Sequence, residues 1–195
     1  MDPMCSWCWA FSETLERWLK LHPELNTLWV MGGLAPDSDE PMPHPMREAI
    51  SSTWKRIESQ TGTQFNHDFW TLNTPRRSTY PSCRAVISAG ELHTEGRQLM
   101  SRAIQHAYYL EAKNPSDTST LVECAESIGL DGHQFCEMLN SDQIELKLNS
   151  ELDFCRSLGV QGFPALLLVE GEEIKPLALG YSTLDKIEKR FEELH

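Results

Sequence analysis

Behind a pair of cysteines near the start of the chain, apolar residues recur at Phe11, Leu15, Trp18 and Leu19, the spacing of one helix face. Asp2 and Pro3, just upstream, are turn and helix-opening residues, so Cys5 falls at or next to the helix N-terminus. Leu28-Trp29-Val30-Met31 then reads as a short buried strand, stopped by Gly32-Gly33. Prolines at 36, 41, 43 and 45 make residues 35–45 a loop. Helical periodicity runs almost unbroken through the middle and predicts helices over 45–61, 80–92, 95–113, 117–128, 131–140 and 142–158. Gly62, Pro75, Pro115 and Gly129 divide them, and Asn114-Pro115 ends one because the residue before proline avoids helical angles. At Pro164 the period changes. Ala165–Val169, a Gly171-Glu172 turn and Ile174–Leu179 make a β-hairpin. Ser182, with Asp185 three residues on, resembles a capping box opening a last helix over 183–194.

At 195 residues and 40% apolar content, the chain suits one domain, or one domain carrying a large insertion. Its net charge of −12, scattered rather than in runs, argues against a nucleic-acid partner. No apolar run reaches the length of a membrane span, and the first twenty residues hold no basic segment followed by an apolar stretch, so a cytoplasmic location is expected. Four of the six cysteines stand singly on apolar helix faces. Cys83 groups with Tyr80 and Ile87, Cys124 with Leu121 and Ile128, and Cys155 with Leu152 and Leu158, while Cys136 is expected to face inward from a short helix. Such positions suit small buried hydrophobes in a reducing compartment rather than bridges.

The remaining two, Cys5 and Cys8, carry the chemistry. First-turn N–H groups of a helix lack partners and the helix dipole is positive there, which favours a thiolate at Cys5. Cys8, three residues on, lies on the same side and begins the apolar stripe, placed to attack a mixed disulfide formed at Cys5. An exposed nucleophile with a sheltered resolving thiol makes a dithiol redox centre. The competing reading is half a zinc site, which needs a second pair of ligands at matching spacing; His133-x-x-Cys136 is the nearest, and no HxxxH occurs. No metal is therefore expected. Trp7 is expected to face out and shape the substrate surface, whereas Trp9, Trp18 and Trp29 suit the core. Asp2 reads as an exposed carboxylate and Arg76-Arg77 as a solvated loop.

Far down the chain, Gly159-Val160-Gln161-Gly162-Phe163-Pro164 leads into the apolar strand, and Phe163–Pro164 is a candidate for a cis bond. A helix followed by this segment and a strand resembles the cis-proline segment of thioredoxin-fold proteins. Together with Asp2-Pro3-Met4-Cys5-Ser6-Trp7-Cys8-Trp9, Val30–Pro36 and Arg77–Val86, it makes the chain similar to the DsbA family, and more narrowly to its FrnE-like branch of predicted protein-disulfide isomerases. The resemblance implies an α/β, thioredoxin-like fold with residues 1–37 and 155–195 as the thioredoxin-like domain and 38–154 as an inserted all-helical subdomain. It implies a thiol–disulfide oxidoreductase in which Cys5 attacks, Cys8 resolves, and Trp7, Phe163 and Pro164 bind protein or peptide substrates. No metal or organic cofactor is implied, and glutathione is a candidate reductant. Oxidase, reductase and isomerase directions stay open, since they depend on the potential of the pair.

Two other readings remain. Kappa-class transferases and chromene-carboxylate isomerases share the inserted architecture but typically offer serine where Cys5 stands. The third is a redox-inactive binding module. One departure from the family is plain: thioredoxin folds place a strand before the CxxC, and four residues precede Cys5 here. The expectation is a native start further upstream, with about 6–10 more residues forming an apolar strand of ordinary length.

Overall fold

The computed structural model describes residues 1–194. Its first helix, α1 (Ser6–Leu21), is followed by an extended stretch and then a run of seven helices: α2 (His44–Thr61), α3 (Phe69–Leu72), α4 (Tyr80–Leu92), α5 (Gly96–Tyr109), α6 (Thr118–Ser127), α7 (Gly132–Leu139) and α8 (Asp142–Ser157). A hairpin of β1 (Ala165–Glu170) and β2 (Glu173–Leu179) and a last helix, α9 (Leu184–Leu194), complete the chain. An α/β arrangement with a long helical run between α1 and the hairpin is as the sequence implies.

The sheet is smaller than expected. Its two strands pair antiparallel from Ala165↔Leu179 to Glu170↔Glu173, with an irregularity between Leu166 and Leu167. Residues 28–31 are extended but form no strand among the described residues, which corrects the sequence expectation. A strand needs a ladder, and only the Met1 backbone supplies rungs here. The Met1 ammonium donates to the Val30 carbonyl at 2.7 Å, and the Gly32 N–H donates to the Met1 carbonyl at 2.7 Å. That alternation is the hydrogen-bond pattern of a parallel pair centred on Met1 and Met31.

Other differences are local. α5 stops at Tyr109 rather than 113 because the chain turns left-handed at Ala112 (φ +56°), with Lys113 N–H donating back to the Ala107 carbonyl. The four-residue α3 is too short for periodicity to reveal. α9 opens with Asp185 in its first turn. α2 ends where Gly62 takes a left-handed conformation (φ +74°) that a glycine accepts without Cβ strain.

Three apolar clusters hold these elements together. α4 is the hub of the largest: Cys83, Val86 and Ile87 meet Met100 and Ile104 of α5, Phe135 of α7, Leu148 of α8 and Met31. A second, aromatic cluster surrounds Trp54 with Phe65, Phe69, Tyr108 and Tyr109. The third joins α1 to the hairpin and α9 through Phe11, Trp18, Leu168, Leu177 and Ile187. α1 belongs to the last two at once, with Ala10 in the aromatic cluster and Phe11 in the hairpin cluster. Its first turn is thereby fixed between the helical insertion and the sheet. Among the described residues no helix is long and apolar enough to cross a membrane.

Candidate active site

The turn ahead of α1 is built on Asp2. Its carbonyl accepts the Cys5 N–H at 3.1 Å, and its carboxylate accepts the Met4 N–H at 2.7 Å, an Asx-type turn. The second carboxylate oxygen reaches across the fold to accept the Leu34 N–H at 2.7 Å and lies 3.8 Å from the Cys83 thiol, which donates to it. The Thr79 hydroxyl adds a further bond. Asp2 is completely buried, so its expected exposure is wrong. Loss of solvent pushes its carboxyl pKa up, against the pull of those hydrogen bonds and of the nearby chain-terminal ammonium.

Cys5 is the N-cap residue of α1, in extended conformation (φ −81°, ψ 114°), and its carbonyl accepts the first helical N–H from Trp9 at 3.0 Å. Both Cys5 and Cys8 are free thiols. Cys5 is 7% exposed and Cys8 4%, so the expectation of an exposed nucleophile needs correction: the packing of α1 against two clusters shelters both sulfurs. Their acidities nevertheless separate. The Cys8 S–H donates to the Cys5 sulfur and lowers the Cys5 pKa, helped by the backbone N–H groups of Cys8 and Trp7 and opposed by burial and by the charge of Asp2. Burial pushes the Cys8 thiol well up, and its bond to Cys5 raises it further.

Phe163 and Pro164 come to the same place from the other end of the chain. The bond between them is cis, and the Phe163 carbonyl accepts from the Cys5 thiol at 3.5 Å. Pro164 is buried, and its carbonyl accepts the Gly180 N–H at 2.7 Å, closing the open end of the hairpin. The Phe163 ring lies on Gly32 so closely that a Cβ there would come within 1.9 Å of its tip. Trp7 is half-buried: it packs on the aromatic cluster, with Tyr181 at 5.7 Å between ring centroids and the Arg56 guanidinium 5.8 Å from the ring centre. Trp9 is half-buried too, stacked on Tyr109 and donating to the Gln64 carbonyl, while Trp18 is buried and Trp29 packs at the edge of the α4 cluster.

Cys5, Cys8, Trp7, Phe163 and Pro164 thus converge, as do Asp2, Thr79, Gly32, Tyr181 and Arg56, which the sequence reading did not assign to a site. Thr79 sits inside a stretch that carries the family resemblance; Arg56 has no local signal at all. Cys83, Cys124 and Cys155 are buried, but Cys136 is half-exposed because Phe135 takes the inward position on α7. Arg76 is not solvated loop: it pairs with Asp117 at 2.6 Å and donates to the Ser116 carbonyl. Among the described residues no three His, Cys, Asp or Glu side chains are grouped to hold a metal ion. Two surface hollows of about 530 and 480 Å³ lie over 58–67 with Leu110 and between α5 and α6, and neither is lined by the cysteine pair.

The DSBA-like thioredoxin domain profile matches residues 1–192. Among solved structures, a candidate protein disulfide isomerase from Nitrosomonas europaea superposes with a TM-score of 0.87 at 23% identity, covering 98% of this chain and 93% of that one. The cytosolic disulfide reductase DsbM from Pseudomonas aeruginosa superposes at 0.80 and 24% identity, over 99% and 95%. Among curated proteins, the ClpXP adapter protein SpxH of Bacillus subtilis is 26% identical over 162 residues, 78% of this chain and 53% of that protein. The chain spans between half and three-fifths of the length of the curated relatives it matches.

Proposed function

Because the chain belongs to the DSBA-like thioredoxin family, we propose that it is a thiol–disulfide oxidoreductase acting on protein or peptide disulfides through Cys5 and Cys8. The observation that carries this reading is geometric: Cys5 caps the N-terminus of α1 one turn from Cys8, with the carbonyl of the cis Phe163–Pro164 bond 3.5 Å from its sulfur. In the reducing direction the Cys5 thiolate attacks one substrate sulfur. A Cys5–substrate bond forms, the substrate disulfide breaks, and the departing thiolate takes a proton. Cys8 then loses its proton and attacks the Cys5 sulfur, releasing the second substrate thiol. The substrate gains two electrons, the pair becomes a disulfide, and an external thiol such as glutathione returns it to the dithiol. Run backwards, the same steps oxidise a substrate; isomerisation uses the first step alone and its reversal on another sulfur.

Burial of Cys8 suits this order, because a thiol kept protonated does not compete for the incoming disulfide. Trp7, Phe163 and Pro164 flank Cys5 and form the substrate surface, while Asp2 braces the turn beneath it. The reading needs no metal or organic cofactor, and it fits a reducing, cytoplasmic setting in which three further buried cysteines stay as thiols. Insulin disulfide reduction tests it. The wild type should turn over, Cys5→Ser should be inactive, and Cys8→Ser should accumulate a mixed disulfide at Cys5 visible by intact mass. Turnover by Cys5→Ser, or glutathione conjugation of an electrophile without disulfide reduction, would overturn it in favour of a transferase-like activity.

A further inference from the structure

Arg56 is set apart by its place, against the ring of the tryptophan between the two cysteines. Arg76, Arg84, Arg97, Arg102, Arg156 and Arg190 each hold a carboxylate. Arg47 instead donates to the Trp70 carbonyl. Arg56, exposed on α2, has no carboxylate partner among the described residues, although the chain carries 29 acidic residues against 17 basic ones. It rests instead against the Trp7 ring, 5.8 Å from the ring centre. The nearest carboxylate along its helix, Glu58, is occupied by His67 Nε2 at 2.9 Å. Trp7 lies within the CxxC, and its ring also meets Tyr181 at 5.7 Å. A guanidinium without a carboxylate is thus held on the ring of a residue two positions from Cys5. A guanidinium resting on a ring keeps its N–H edge available for a planar carboxylate, so the stacking orients the cation without consuming it.

We propose that Arg56, positioned by Trp7, selects disulfide substrates that carry a carboxylate close to the reacting sulfur, against the repulsion of a surface whose net charge is −12. This rests on the dithiol reading above and adds a substrate preference to it. Encounter at Cys5 brings the groups flanking the substrate sulfur against the Trp7 wall. There a negative group gains the Arg56 contact and a positive one meets its repulsion.

The test measures the rate at which the reduced protein forms its Cys5–Cys8 disulfide with three oxidants: oxidised glutathione, which bears carboxylates, neutral hydroxyethyl disulfide, and cationic cystamine. Wild type should prefer oxidised glutathione over cystamine at low ionic strength. Arg56→Gln should reduce that preference about two- to fivefold, the range of an exposed ion pair, and Arg56→Glu should reduce it again by a similar factor. Arg56→Lys should restore part of it, through charge without planar stacking. The preference should shrink toward unity at 1 M salt, where screening acts within about 3 Å. A wild type that reacts with all three oxidants but whose preference ignores Arg56→Glu overturns this proposal and leaves the oxidoreductase reading standing. A wild type that reacts with none of them overturns both.

Discussion

Asp2 offers the sharpest test of how the site is held. Asp2→Ala removes a carboxylate with no exposure to solvent that accepts two backbone N–H groups at 2.7 Å. The two donors suffer unequally. Leu34 N–H keeps the Thr79 hydroxyl at 3.0 Å, whereas Met4 N–H loses its one acceptor. An orphaned, partly buried donor costs about 1–3 kcal/mol and a weakened bond about 1 kcal/mol more, so Asp2→Ala should destabilise by about 2–4 kcal/mol. That is a large share of the roughly 5–15 kcal/mol available to a domain. Asp2→Asn keeps one acceptor oxygen for Met4 and should cost about 1 kcal/mol. The pH dependence then separates charge from hydrogen bonding. Burial raises the folded pKa of Asp2 above the ordinary 3.8, so the folded chain binds this proton more tightly than the unfolded one. The stability it contributes is complete below 3.8 and is lost as pH rises through the folded value. Asn does not titrate, so its deficit relative to wild type should narrow as pH climbs through that window. Urea unfolding followed by tryptophan fluorescence across the window reads both quantities. An Asp2→Ala cost below about 0.5 kcal/mol would refute the bracing role, and a deficit of Asp2→Asn that widens with pH would show that the hydrogen bonds, not burial, dominate this carboxyl.

Three further outcomes are expected. Iodoacetamide at neutral pH should label Cys5 before Cys8 in peptide mapping, and Cys8→Ala should move the onset of Cys5 labelling to higher pH because the S–H donor that favours the thiolate is gone; prior labelling of Cys8 would reverse the assigned roles. Gly32→Ala should destabilise by about 1–3 kcal/mol by driving a Cβ into the Phe163 ring, and should slow disulfide reduction roughly tenfold as the Phe163-Pro164 segment that would position substrate is displaced; unchanged melting and unchanged rate would refute that contact. Trp54→Ala, at the centre of the aromatic cluster and wholly buried, should cost about 3–5 kcal/mol in chemical denaturation, and a loss under 1 kcal/mol would mean the cluster does not hold α2 to α1.

Helix positions were legible because periodicity and punctuation agree. The stretch 80–92 is bounded and filled as expected, with apolar residues on nearly every side since α4 is surrounded by other helices. The Cys5 helix terminus was legible for the same reason. Residues 28–31 were misjudged because β-propensity reports what a strand prefers, while a strand exists only through its partner. Asp2 was misjudged because a carboxylate before proline looks like surface turn locally; the groups that bury it, Leu34, Thr79 and Cys83, come from distant parts of the chain. Arg56 and Tyr181 meet Trp7 across the same kind of distance, so no spacing rule could have joined them.

With only 7% of Cys5 exposed, access to its thiol becomes an equilibrium of its own. Observed reactivity is then the product of two quantities: the fraction of molecules in which the thiol is open to a reagent, and the intrinsic rate of the uncovered thiolate. Local opening of this kind has a free energy far below that of global unfolding. Reagents of equal chemical reactivity but increasing girth will sample progressively wider and rarer openings, so the ratio of their rates is a caliper for the breathing of this cleft. The same filter favours an extended peptide, which slips in edge-on, over a disulfide set in a rigid folded surface.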